Sequence, residues 1–162
     1  MKNLCMSFGI MTLSAATFVG GLAPSTAQAA EIIELTQTGC QFLEPEGTDH
    51  NYKTGQKSDC ETINSQTSEE RLAKANVMKL EPGEYIFRVK NKNVPYELGF
   101  WLRDKDYDWR NPLHKLTKTS VSGGGLQMGK SGDYKVTLKP GEYVFSCPLN
   151  TTPDYRLIVP ES

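Results

Sequence analysis

From Val77 onward, apolar and polar residues alternate in short runs separated by turn residues, the period expected of β-strands with one buried face. Tyr96 to Leu102, Ser131 to Leu138 and Asp154 to Val159 each carry this alternation. Two further strands close two copies of one phrase. Leu80-Glu81-Pro82-Gly83-Glu84-Tyr85-Ile86-Phe87 recurs 58 residues later as Leu138-Lys139-Pro140-Gly141-Glu142-Tyr143-Val144-Phe145. In each copy a Pro-Gly turn, its φ preset by proline, leads into β-branched and aromatic residues. Two copies are too few for a solenoid, which needs three or more. They predict two equivalent positions in an all-β sandwich. Glu31 to Leu35 reads as a first strand. Neighbours within Tyr96 to Leu102 face opposite sides of a sheet, so one of Phe100 and Trp101 belongs to the core.

The stretch Gly39 to Gln66 differs in kind. It is rich in Gly, Asn, Asp, Ser, Thr and Lys, shows little apolar periodicity, and is bracketed by Cys40 and Cys60. Such a composition buries too little apolar surface to order itself, so a covalent clasp between the two cysteines is expected. Thr67-Ser68-Glu69-Glu70 matches a capping box and predicts one short helix over Arg71 to Ala75.

At the N-terminus, Lys2 precedes a stretch from Leu4 to Gly21 without a charged residue, followed by Pro24 and the small-residue site Ala27-Gln28-Ala29. That is the layout of a secretory signal peptide over residues 1–29, leaving residues 30–162 as a single domain in a periplasmic or secreted setting. The 133 residues that remain are enough for one core. They hold 17 basic and 19 acidic residues, a net charge of −2, which gives no electrostatic basis for binding nucleic acid. No later stretch is long and apolar enough for a membrane-spanning helix. Cys5 leaves with the leader, so an odd three cysteines face an oxidising compartment.

Motifs that would announce catalysis are absent or misplaced. Gly124 to Ser131 satisfies the phosphate-loop pattern G-x-x-x-x-G-K-S, but strand-like Tyr134 to Leu138 follows where a helix must begin, so it reads as a loop between strands. Asp104-Lys105-Asp106-Tyr107-Asp108 opens like a calcium loop, yet Trp109 stands at the glycine position and Lys115 at the glutamate position. Asn150-Thr151-Thr152 is a formal glycosylation sequon. Neither His50 nor His114 lies in a recognisable catalytic setting, and no enzyme activity is expected.

Two segments together resemble the cupredoxins, small exported β-sandwiches that hold blue copper. Asn91-Lys92-Asn93-Val94-Pro95-Tyr96 is similar to the family's run from an Asn through Pro to the first histidine ligand. Pro140 to Asn150, through Tyr143 and Cys147, resembles its turn, strand and cysteine before the last strand. The resemblance implies a Greek-key β-sandwich of cupredoxin type, here with one short helix and the disulfide-clasped insertion at residues 39–66. It also implies that the copper ligands have gone. Blue copper uses two His, one Cys thiolate and a weak axial Met. Tyr96 stands at the first His position, Cys147 at the cysteine, Asn150 at the second His, and no Met follows. A binding or accessory role is therefore expected, with no resident cofactor. Tyr96, Asn150 and Tyr155 would present a surface to an unidentified protein or small ligand. The alternative is a copper-handling protein, for Cu(I) storage, delivery or atypical electron transfer, with a site centred on Cys147 and completed by Met128 or His114. Short of a metal site, Cys147 reads first as a buried structural thiol and otherwise as a reactive or intermolecular one.

Overall fold

The computed structural model describes residues 29–161, so all of the expected leader except Ala29 lies outside the described residues. Along the chain run β1 (Glu31–Thr38), β2 (Gln41–Phe42), α1 (Leu43–Glu46), α2 (Lys57–Lys74), β3 (Met78–Lys79), β4 (Gly83–Asn91), β5 (Leu98–Asp104), α3 (Pro112–Thr117), β6 (Ser120–Leu126), β7 (Ser131–Leu138), β8 (Gly141–Ser146) and β9 (Tyr155–Val159). The strands make two sheets, in the orders β2-β1-β4-β7 and β3-β9-β8-β5-β6. Most neighbours are antiparallel, but β1 runs parallel to β4 and β3 parallel to β9. The chain is mostly β, as the alternation predicts, and no described helix is long and apolar enough to cross a membrane.

Inward-facing alternates of both sheets meet in an aromatic core. Phe42, Phe87, Phe100, Phe145 and Tyr155 have no more than 1% of their surface exposed. Phe42 stands edge-on to Phe100, Phe145 and Tyr155, a favoured aromatic geometry. Of the pair left open by the pattern, Phe100 is the core residue, and Trp101 turns outward under Arg103. Each fully buried ring contributes roughly 2–3 kcal/mol of transfer free energy. The repeated phrase does form equivalent pieces, one in each sheet. Tyr85 and Tyr143 each donate their hydroxyl to the carbonyl four residues upstream, on Glu81 and Lys139, so each strand ties down its own turn. The phosphate-loop look-alike is a strand, a turn and a strand, β6 into β7.

The expected short helix needs correction. α2 begins at Lys57 and runs 18 residues, so the second half of the polar insertion is helical. Its capping box joins Gln56 and Asp59, with the Asp59 carboxylate accepting from Gly55 and Gln56 amides, and Thr67 lies mid-helix. The pattern hides this helix because its buried stripe is Cys60, Asn64 and Arg71, three residues that carry no apolar period. Two shorter helices, α1 and α3, were also not expected.

Candidate functional site

β1, β4, β5 and β8 all reach one end of the sandwich, where Thr38, Asn91, Leu98 and Ser146 lie, and the insertion folds back over that end. Cys40 and Cys60 are disulfide-bonded, as their positions around the insertion predict. Cys40 adopts a left-handed backbone, φ 63°, which a non-glycine residue holds only when its surroundings impose it. They do so on every side. The Cys40 amide donates to Asn150 Oδ1 (3.1 Å), its carbonyl accepts from Arg71 Nη2 (3.0 Å) and Asn64 Nδ2 (3.3 Å), and its sulfur is tied to α2.

Asn150 is the hub beneath this clasp. Its Oδ1 accepts from the Cys40 amide and from the Tyr96 hydroxyl (3.2 Å), and lies 3.3 Å from Cys60 Sγ. Its Nδ2 donates to the Thr38 carbonyl (2.7 Å), and its own amide donates to Cys147 Sγ (3.2 Å). One amide side chain therefore joins β1, the clasp, the segment before β5 and the loop after β8. Both of its polar ends are satisfied, as a wholly buried amide requires.

Cys147 is a free, fully buried cysteine. Its sulfur accepts from the Gly99 amide (3.4 Å) and the Asn150 amide, with the Gln37 side chain also in reach. Burial pushes the thiol above the ordinary cysteine range, and these amide donors offset that only in part. Gln37 itself bridges the two sheets through Nε2 to the Gly99 carbonyl (2.8 Å), and its Oε1 meets no nitrogen or oxygen donor among the described residues.

Tyr155 belongs to a second buried network. Its hydroxyl donates to Glu46 Oε1, which also accepts from Arg71 Nη2 at 2.6 Å, while Glu46 Oε2 accepts from Arg71 Nε at 2.9 Å and lies 2.8 Å from His50 Nε2. Burial, reinforced by the Glu46 carboxylate, drives the Tyr155 phenol far above its usual range. Desolvation works against the Arg71 charge, but the two-pronged Glu46 carboxylate outweighs it and holds the guanidinium charged. Arg71 further donates to Asn64 Oδ1 and lies over the Tyr52 ring, 5.2 Å from its centre. A cleft of about 350 Å³ opens above this pair, rimmed by His50, Tyr52, Thr67, Glu70 and Lys74.

The residues expected to form a contact surface are thus largely internal. Asn150 and Tyr155 have no exposed surface and are committed to fixed hydrogen bonds, and only Tyr96 is half-buried. The proposed co-ligands of Cys147 do not join it. His114 lies on α3, past the far end of β5, where its Nδ1 accepts from the Asp108 amide (2.9 Å) and its ring packs on Tyr107. Met128 sits in the β6–β7 turn with most of its side chain exposed, whereas Cys147 has none. Among the described residues no three His, Cys, Asp or Glu side chains converge as a metal site would require. The residues that the resemblance sets at the two histidine positions, Tyr96 and Asn150, are a phenol and an amide bonded to each other, which do not fit a two-imidazole, one-thiolate centre.

Glu46, Asn64, Arg71 and Gln37 escaped the sequence reading. The available signal was the spacing Cys60, Asn64, Arg71, which puts all three on one helical face behind a cysteine already assigned to the clasp. No protein-family model matches the chain, and no curated protein matches it.

Proposed function

We propose that the chain is an exported binding or accessory protein of cupredoxin-like fold, in which the end that would carry blue copper is filled by side chains and closed by a covalent cover. The observation that carries this reading is the Asn150 hub, which uses the second-histidine position to bond Thr38, Cys40, Tyr96 and Cys147 together. The strand order supports the fold, with β1 parallel to β4 and the cysteine directly after β8, one loop before the last strand. With Asn150 and Tyr155 internal, binding at this end falls to the cleft beside α2, where His50, Glu70 and Lys74 offer hydrogen bonds to a small polar ligand or a partner side chain.

Metal titration of the purified protein tests the reading. Addition of Cu(II) is expected to give no intense blue absorption, and Cu(I) no stoichiometric complex. One observation favours a second reading, Cu(I) handling at Cys147: its sulfur already receives two backbone amides, which would also stabilise a thiolate. Stoichiometric Cu(I) uptake that disappears in Cys147→Ala would replace the first reading with the second.

A further inference from the structure

Two sheets have four lateral edges, here β2, β7, β3 and β6, and an open edge offers unpaired backbone groups to another strand. Three of the four are guarded. β2 and β3 are two residues long. The part of β1 that β2 leaves open carries Glu31 and Glu34, and the Glu44 carboxylate takes the Thr36 amide. β7 carries Asp133 and Lys135. β6 has no such guard. From Ser120 to Gly129 the sequence holds no charged residue and no proline, and β6 pairs with β5 alone among the described residues.

Its open groups can be named. The Asp104 amide donates to the Thr119 carbonyl (2.9 Å), so Val121 and Gly123, in phase with Thr119, also turn their backbone toward β5. Ser120 and Ser122 turn theirs outward, and Gly124 follows where the register slips by one residue before Leu126. All three are exposed, and no side chain before Leu126 is larger than valine, so a second backbone can approach closely.

Symmetry chooses the occupant. Two copies of β6 paired antiparallel about a two-fold axis at Ser122 set Ser122 against itself and Ser120 against Gly124, so outward groups meet outward groups. The same axis carries the β6–β7 turn of one copy toward the end of α3 in the other. Met128 in that turn is 58% exposed and Leu116 on α3 is 84% exposed, so side chains that one copy leaves in water are covered by two. A lone strand from another protein would pair the backbone and leave both in water. The charges stand beyond the strand. Glu97, which accepts from the Gly125 amide at the end of β6, comes opposite Lys118, which lies beside Asp104 and Asp106 at its start. Neither Glu97 nor Lys118 forms an ion pair among the described residues. Lys115 and Lys130 approach as like charges, both exposed at the rim, where salt screens them.

We propose that the protein forms a two-fold dimer in which β6 of two copies pair antiparallel, joining their β5-containing sheets into one. The pairing uses both β6 edges and the remaining edges are guarded, so assembly closes at two copies. Because the paired strands run in opposite directions, the two clasped ends, each with its cleft beside α2, face opposite ways.

Sedimentation equilibrium of residues 30–162, up to about 1 mM protein, tests the proposal, since an interface built on one short strand is a weak one. A monomer–dimer equilibrium is expected. Ser122→Lys sets two ammonium groups face to face on the axis and is expected to raise the dissociation constant about fivefold or more. Ser122→Cys is expected to form a disulfide-linked dimer in air, because residues opposed in such a pair lie about 5.5 Å apart, within disulfide reach. Thr137→Cys, equally exposed but on β7, is the control for chance collisions. Far-ultraviolet circular dichroism checks that each variant is folded. A monomer throughout that range, a dimer that Ser122→Lys does not weaken, or cross-linking of Ser122→Cys no faster than that of Thr137→Cys would overturn the proposal.

Discussion

Asn150 shows how many separate segments one buried side chain can join. An imidazole at its position would need a metal or one partner per nitrogen, whereas the side-chain amide satisfies two backbone groups and a phenol at once. Asn150→Ala strands the Cys40 amide and the Thr38 carbonyl in a dry interior. The expected loss is about 3 kcal/mol in urea denaturation, from two buried groups left without partners. A change below about 1 kcal/mol would mean that water replaces the amide. Cys147 gives a prediction with a definite sign. Burial holds its native thiol above the unfolded value of about 8.5. Stability from that source is complete below the unfolded value and is lost as pH rises through the native one. Between about pH 8.5 and 10, before tyrosines ionise, wild-type stability should decline with a slope that Cys147→Ala lacks. Parallel pH profiles of the two proteins would show the effect to be absent.

At the scale of elements, α2 is held by polar anchors where most helices are held by an apolar stripe. Its three buried side chains are a half-cystine, an amide and a guanidinium, and each reaches Cys40 or its carbonyl. Packing therefore contributes little, and the covalent link correspondingly more. The bridge closes a separation of 20 residues, worth roughly 3 kcal/mol in the chain-entropy account. Cys40→Ala/Cys60→Ala should lower the melting temperature by roughly 10 °C. A calorimetric midpoint within about 2 °C of wild type would show that the Arg71 and Asn64 anchors suffice. The same chemistry explains what the sequence did and did not disclose. β7 and β9 were legible to within a residue because their alternation is driven by apolar burial. α2 was not, because hydrogen bonds and charge leave no period in a hydropathy pattern. The clasp was legible only because cysteine is the one polar-segment residue whose partner can be inferred from composition.

For the whole molecule, the closed end of the sandwich is assembled from segments far apart in the chain. The cysteine, tyrosine and asparagine singled out by the cupredoxin resemblance do converge, as strand order alone would bring them. What covers them comes from outside the resemblance, across more than a hundred residues of chain, and no local pattern could announce it. Asn150 reaches back 110 residues to Cys40, whereas Cys60 is 20 residues away. That asymmetry matters while the chain is being made. If the chain is exported from its N-terminus, as proposed above, Cys40 and Cys60 enter the oxidising side together, well before Cys147 emerges. The short loop closes first at the lower entropic cost, so the third thiol arrives to find no partner left to mispair with. It is then sealed in the core beneath a bridge made in its absence.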